Sequence, residues 1–158
     1  MTDEDDTPAP SHYDKLKELE WMIGAWVDND DDDETTVEIA CKWAKNQNFL
    51  VRTYTLTIRD RISVSGVQMI GWDPSAKQIR SWEFDSDGGF SEGFWTKKGQ
   101  AWYIQTKETL PDGKKASAVG ILTLIDNNNF TWQSIDRQSG GVMLPNIGQV
   151  PVVRKGAE

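Results

Sequence analysis

The stretch Gly71–Trp95, GWDPSAKQIRSWEFDSDGGFSEGFW, decides the fold. Two turn signals punctuate it: Asp73-Pro74 with Ser75-Ala76-Lys77, and Asp87-Gly88-Gly89. Asp, Pro and Gly each favour a bend for a separate steric or hydrogen-bonding reason. Between the turns Ile79–Phe84 alternates, with Arg80, Trp82 and Phe84 on one face and Ile79, Ser81 and Glu83 on the other. Alternation bounded by turns reads as one strand shared by two consecutive β-hairpins. The chain around it should therefore be an antiparallel meander.

The same pattern extends both ways. Thr35–Ala44, Phe49–Arg59 and Ile62–Trp72 read as strands before the stretch, the last two joined by a turn at Asp60-Arg61. Gln78–Asp85 and Phe90–Lys97 lie within or across its end, and Ala101–Thr109, Ala116–Ile125, Phe130–Arg137 and Val150–Lys155 follow. Turns are expected at Lys97–Gln100, Leu110–Lys114 and Asp126–Asn129, and residues 138–149 as the longest irregular stretch. Trp21–Val27 reads as the first strand. Before it a short helix is predicted over Ser11–Trp21, capped by Ser11 or Asp14, with Tyr13, Leu16 and Leu19 on one face. No gap between strands is long enough for a crossover helix, so the pairing is antiparallel. A meander of about ten strands hides its edges best by closing, which favours a barrel over a sandwich. The expected fold is all-β, an antiparallel barrel with one short N-terminal helix. Residues 1–11 are expected as a disordered acidic tail and residues 12–158 as a single barrel domain.

The net charge of −8 is unevenly spread: residues 1–34 carry −11 and residues 35–158 carry +3. The basic residues are scattered, so no nucleic-acid partner is expected. No apolar run reaches the about 20 residues that span a bilayer, and no secretory signal is visible, so no membrane association and a soluble, cytoplasmic location are expected. Cys41 is the one cysteine and reads as a small buried side chain. With one cysteine and one histidine, His12, zinc sites and Ser-His-Asp or Cys-His catalysis are excluded. The acidic run Asp28–Glu34 lacks the turn glycine and ligand spacing of a calcium loop and reads as a solvated loop. Asp85-Ser86-Asp87-Gly88 opens like a calcium loop but has Thr96 at its twelfth position, so it reads as a hairpin turn. No metal is expected.

Leu19–Trp26, LEWMIGAW, is a helix leading into Gly24-Ala25-Trp26 at the first strand. This entry resembles that of the calycin superfamily: lipocalins, fatty-acid-binding proteins and nitrobindin-like barrels. With the ten-strand count, it looks most like the nitrobindin-like group and related bacterial barrels. The resemblance implies a lipocalin-like barrel whose Trp26 closes one end beneath an arginine, Arg154 or Arg137. Nitrobindins bind haem through a late histidine. His12 lies in the tail, so haem is not carried over and no cofactor is expected. Gly71–Trp95 is also similar to modules found beside SnoaL-like domains.

Ligand-binding candidates are polar residues that share a strand face with large apolar ones. These are Arg80 with Trp82 and Phe84; Arg52 and Tyr54 with Leu50 and Leu56; Tyr103 with Gln105; and Gln133 with Arg137. Pointing inward, they would make an aromatic lumen with arginines, suited to an amphipathic or carboxylate-bearing molecule. Pointing outward, the arginines would snorkel over surface aromatics. The inward orientation is favoured, and the eight tryptophans suit a lumen that needs bulky filling. The leading expectation is non-catalytic binding of a small apolar or amphipathic ligand, with no catalytic residue. One alternative is a lumen isomerase or hydrolase using Glu, Arg and Tyr, with Glu83 and Glu92 facing one another on adjacent strands. The other is an interaction module or homodimer that docks through an aromatic outer surface.

Overall fold

The computed structural model describes residues 10–28, 35–59 and 61–156. Most of the expected tail, the acidic run beyond Asp28 and Asp60 of the predicted turn lie outside the described residues. A four-residue helix, α1 (Tyr13–Leu16), continues as 3-10 turns over Lys17–Met22. The strands are β1 (Gly24–Asp28), β2 (Thr35–Trp43), β3 (Phe49–Ile58), β4 (Arg61–Asp73), β5 (Gln78–Asp85) and β6 (Phe90–Lys98). They continue as β7 (Ala101–Thr109), β8 (Lys115–Asp126), β9 (Asn129–Ser139), β10 (Val142–Met143) and β11 (Ile147–Arg154). Each strand from β1 to β9 pairs antiparallel with the next, and β11 lies between β9 and β1. Ten strands thus close a ring, and β10 is a two-residue addition on β9.

The two hairpins of Gly71–Trp95 are present. Asp73↔Gln78 joins β4 to β5, and Phe84↔Phe90 joins β5 to β6. Their aspartates hold the turns. The Asp73 carboxylate accepts the backbone N–H groups of Ser75 and Ala76, and Asp87 accepts that of Gly89. Asp85-Ser86-Asp87-Gly88 is thus a hairpin turn.

Apart from shifts of one or two residues at other strand ends, two regions differ from expectation. The first strand starts at Gly24 rather than Trp21, because the helical turns run on to Met22 and Gly24 adopts φ +122°. Residues 138–149 are not wholly irregular: they contain β10 and the start of β11, whose ladder to β9 is broken by a bulge between Ile147 and Val150.

The helical segment plugs one end of the barrel. Leu16 and Leu19 are fully buried there with Met22, Trp26, Leu50, Ile70, Trp95, Leu122, Phe130 and Val152. Trp26 meets Phe130 edge-on at 4.9 Å and Trp21 at 6.2 Å. Such edge-to-face contacts contribute about 1 kcal/mol beyond area burial. Its indole N–H donates to the Met22 carbonyl at 2.9 Å, so the ring is buried without an unpaired donor. Of the eight tryptophans only Trp82 lies outside this core and the residues packed on it. The tryptophans are therefore chiefly the floor of the barrel.

Candidate functional site

Above this floor the inward residues of β3, β4 and β5 form rows, because directly paired residues share a face. The lowest row, Leu50–Ile70–Ser81, is dry, and the Ser81 hydroxyl accepts the Trp95 indole N–H at 2.9 Å. The next row is Arg52–Gln68–Glu83, and the one above it Tyr54–Gly66–Asp85.

The middle residue decides how each polar row behaves. Gly66 has no side chain, and a Cβ there would collide with the Tyr54 ring. The ring therefore lies across β4, and its hydroxyl donates to Asp85 at 2.5 Å. In the row below, Gln68 occupies the gap. Arg52 donates to Gln68 Oε1 at 3.3 Å, and among the described residues it has no carboxylate at ion-pair distance.

Four residues of the two polar rows, Arg52, Tyr54, Gln68 and Glu83, form a polar wall of a cavity of about 410 Å³. Asp28 and Thr35 are its other polar lining, and Val37, Ile39, Leu56, Phe130, Trp132 and Val152 line much of the rest. The volume lies within the range typical of small-molecule sites.

Burial strains the charges in this wall. Removal from water weakens the Arg52 hold on its proton, and the neighbouring Cys41 and Glu83 oppose that shift. Burial pushes the Glu83 carboxyl up to about 7; Asp85 and Glu108 reinforce the shift and Arg52 opposes it. Tyr54 is held above its ordinary value by burial and by its bond to Asp85. Burial also pushes the Cys41 thiol up to about 11, against the pull of Arg52, so it is a protonated, poorly nucleophilic side chain.

Of the nine sequence candidates, Arg52 and Tyr54 meet in this cavity. The inward expectation is reversed for Arg80, Trp82 and Phe84. Paired residues share a face, and Ile79 and Ser81 are the ones paired with the buried core of β4 and β6. Arg80 therefore lies on the outer wall, 3.2 Å from Asp73 and 2.6 Å from Glu92, with its guanidinium over Trp82 and Phe94. It snorkels across aromatics, held by carboxylates of the strands on either side.

Tyr103 and Gln105 also face outward, because Trp102 and Ile104 take the inward positions of β7. Gln133 faces outward opposite Ile121, between the inward Trp132 and Ser134. Arg137 lines a separate recess of about 160 Å³ with Glu108 and Leu144, and donates to the Pro145 carbonyl at 2.9 Å. Glu83 and Glu92 do not face one another: Glu83 pairs with Ser91, and Glu92 with Trp82 on the opposite face. A larger cleft, about 610 Å³, lies against Trp82, Phe84 and Phe90.

Gln68 is absent from the sequence candidates, and Glu83 enters them only as a partner of Glu92, because the face it shares with Ile79 carries fewer aromatics than the opposite one. The available signal was an acidic residue two positions beyond Ser81, on the face shared with Ile79.

The arginine over Trp26 is Arg154. Its guanidinium lies 4.2 Å from the ring and donates to the carbonyls of Ile23, Trp21 and Asn127. Gly24 makes room, since a Cβ there would sit 2.5 Å from the Arg154 guanidinium.

No protein-family model matches the chain, and no curated protein matches it in sequence. Among solved structures, the crystal structure of Rv2717c from M. tuberculosis is similar in fold. It has a TM-score of 0.61 at 12% identity, over 89% of this chain and 96% of that one.

Proposed function

We propose that this calycin-like barrel binds a small amphipathic molecule with an anionic head, in the lumen and without catalysis. The observation that carries the reading is Arg52, a desolvated cation on the wall of a largely apolar cavity with one neutral hydrogen-bond partner. Burying a charge without a counter-ion is costly, and a ligand carboxylate would supply one. The planar guanidinium suits it, because it can present two parallel N–H donors to a carboxylate. The apolar lining would take the ligand's hydrocarbon part.

Titration with decanoate, followed by calorimetry and native mass spectrometry, tests this. Wild type should bind, Arg52→Met should lose at least about tenfold in affinity, and Arg80→Met should bind as wild type does. Equal affinity in wild type and Arg52→Met would sink the proposal.

A further inference from the structure

Arg52 and Glu83 share the cavity but do not touch. They stand in one row with Gln68 between them, two inter-strand spacings or about 10 Å apart at the backbone. Both line the lumen, so an anion entering beside Arg52 also enters the field of Glu83. We propose that the lumen takes its acidic ligand together with one proton. The ligand carboxylate becomes the counter-ion of Arg52, and Glu83 holds the proton for as long as the ligand is bound. The inference rests on the anionic-ligand reading above and adds a specificity-determining residue to it.

The surroundings of Glu83 favour this. Asp85 on its own strand and Glu108 on β7 both add negative charge beside it. Ser91 on β6 and Gln68 on β4 are its direct neighbours and are neutral. Tyr54 on β3 donates a hydrogen bond from its hydroxyl to Asp85, and Asp28, across the cavity, accepts the Val37 N–H. Among the described residues lining the cavity, Arg52 is the one cation. When a ligand carboxylate takes up that cation's field, the influence that favours ionised Glu83 is weakened and a further negative charge is added. Both changes drive Glu83 toward its neutral form. Its carboxyl already titrates close to neutrality, so the ligand needs to supply only a modest bias. No bond is made or broken in the ligand: the proton comes from solvent and returns to it on release.

Linkage sets the sign. Binding that takes up a proton weakens as pH rises. Decanoate is ionised throughout the range tested, so the dependence belongs to the protein. Calorimetry in phosphate and in Tris near pH 7 should show uptake of a substantial fraction of one proton per decanoate bound. Affinity should fall about tenfold between roughly pH 6.5 and 8.5. Glu83→Gln should abolish the uptake and flatten the profile, whereas Glu108→Gln should retain both. Decanoate binding that depends on Arg52 but is flat in pH and takes up no proton would overturn this inference and leave the binding reading standing. Binding that is indifferent to Arg52→Met would instead remove the reading on which it rests. The buffer comparison on wild type decides the matter even if a variant folds poorly.

Discussion

Arg154 and Arg52 both occupy strand positions on the inner face of one barrel, and the barrel uses them in opposite ways. Arg154 sits over Trp26 at the plugged end and gives its N–H groups to carbonyls of Trp21, Ile23 and Asn127. Those carbonyls belong to the end of the helical segment and to the β8–β9 turn, so one side chain ties three parts of the chain together. Arg52 lies on the cavity wall with a single long bond to Gln68. The fold gives the first guanidinium four hydrogen bonds and, among the described residues, leaves the second without a carboxylate at ion-pair distance. A cation whose donors are nearly all used fastens a structure. A cation buried with donors to spare costs stability unless something else binds to it.

The contrast can be broken most strongly at Arg154. Arg154→Met should cost about 3–4 kcal/mol, because several charge-assisted hydrogen bonds and the cation–π contact go together. Urea denaturation measures it, and a loss below about 1 kcal/mol would show that Arg154 is not the fastener.

The next effect belongs to the polar wall and depends on pH. Glu83 has its carboxyl raised from 4.5 to about 7 in the folded chain. Below about pH 4.5 both folded and unfolded chains hold the proton, and the contribution is constant. Between there and pH 7 the folded chain holds more of it, so stability falls as pH rises, then levels off. The loss should be about 3 kcal/mol for the ligand-free protein. Denaturation midpoints of wild type and Glu83→Gln across this window should converge at the acid end and separate toward neutrality. Parallel profiles would count against a strained Glu83.

The smallest of the three effects has the opposite sign to the first. Arg52→Met should raise the stability of the ligand-free protein by about 1 kcal/mol, since it removes a half-buried charge that has no carboxylate at ion-pair distance among the described residues and keeps the hydrocarbon stem. Thermal melts of Arg52→Met and Arg154→Met side by side should move in opposite directions. Movement in the same direction would mean that Arg52, like Arg154, fastens the fold.

Much of this molecule was legible in its sequence. Gln78–Asp85 and Ala101–Thr109 are strands with the boundaries that their turn residues predict. Closure into a barrel followed from strand count and short connections. The face carrying Leu50, Arg52, Tyr54 and Leu56 was readable because alternation is a local property of an extended backbone. Which face of β5 enters the lumen was not readable. Alternation of period two is unchanged when the faces are exchanged, and both faces of β5 carry apolar residues. The choice was made by neighbours: Ser81 accepts the Trp95 indole inside, while Asp73 and Glu92 hold Arg80 outside. The site itself was decided later still. Arg52, Gln68 and Glu83 come from three strands, as do Tyr54, Gly66 and Asp85, and only the pairing register sets them in rows. The strands were therefore determined locally, by turn chemistry and side-chain alternation. The cavity's charged wall was determined by tertiary structure, because register across three strands decides whether a glycine or a glutamine stands between its polar groups.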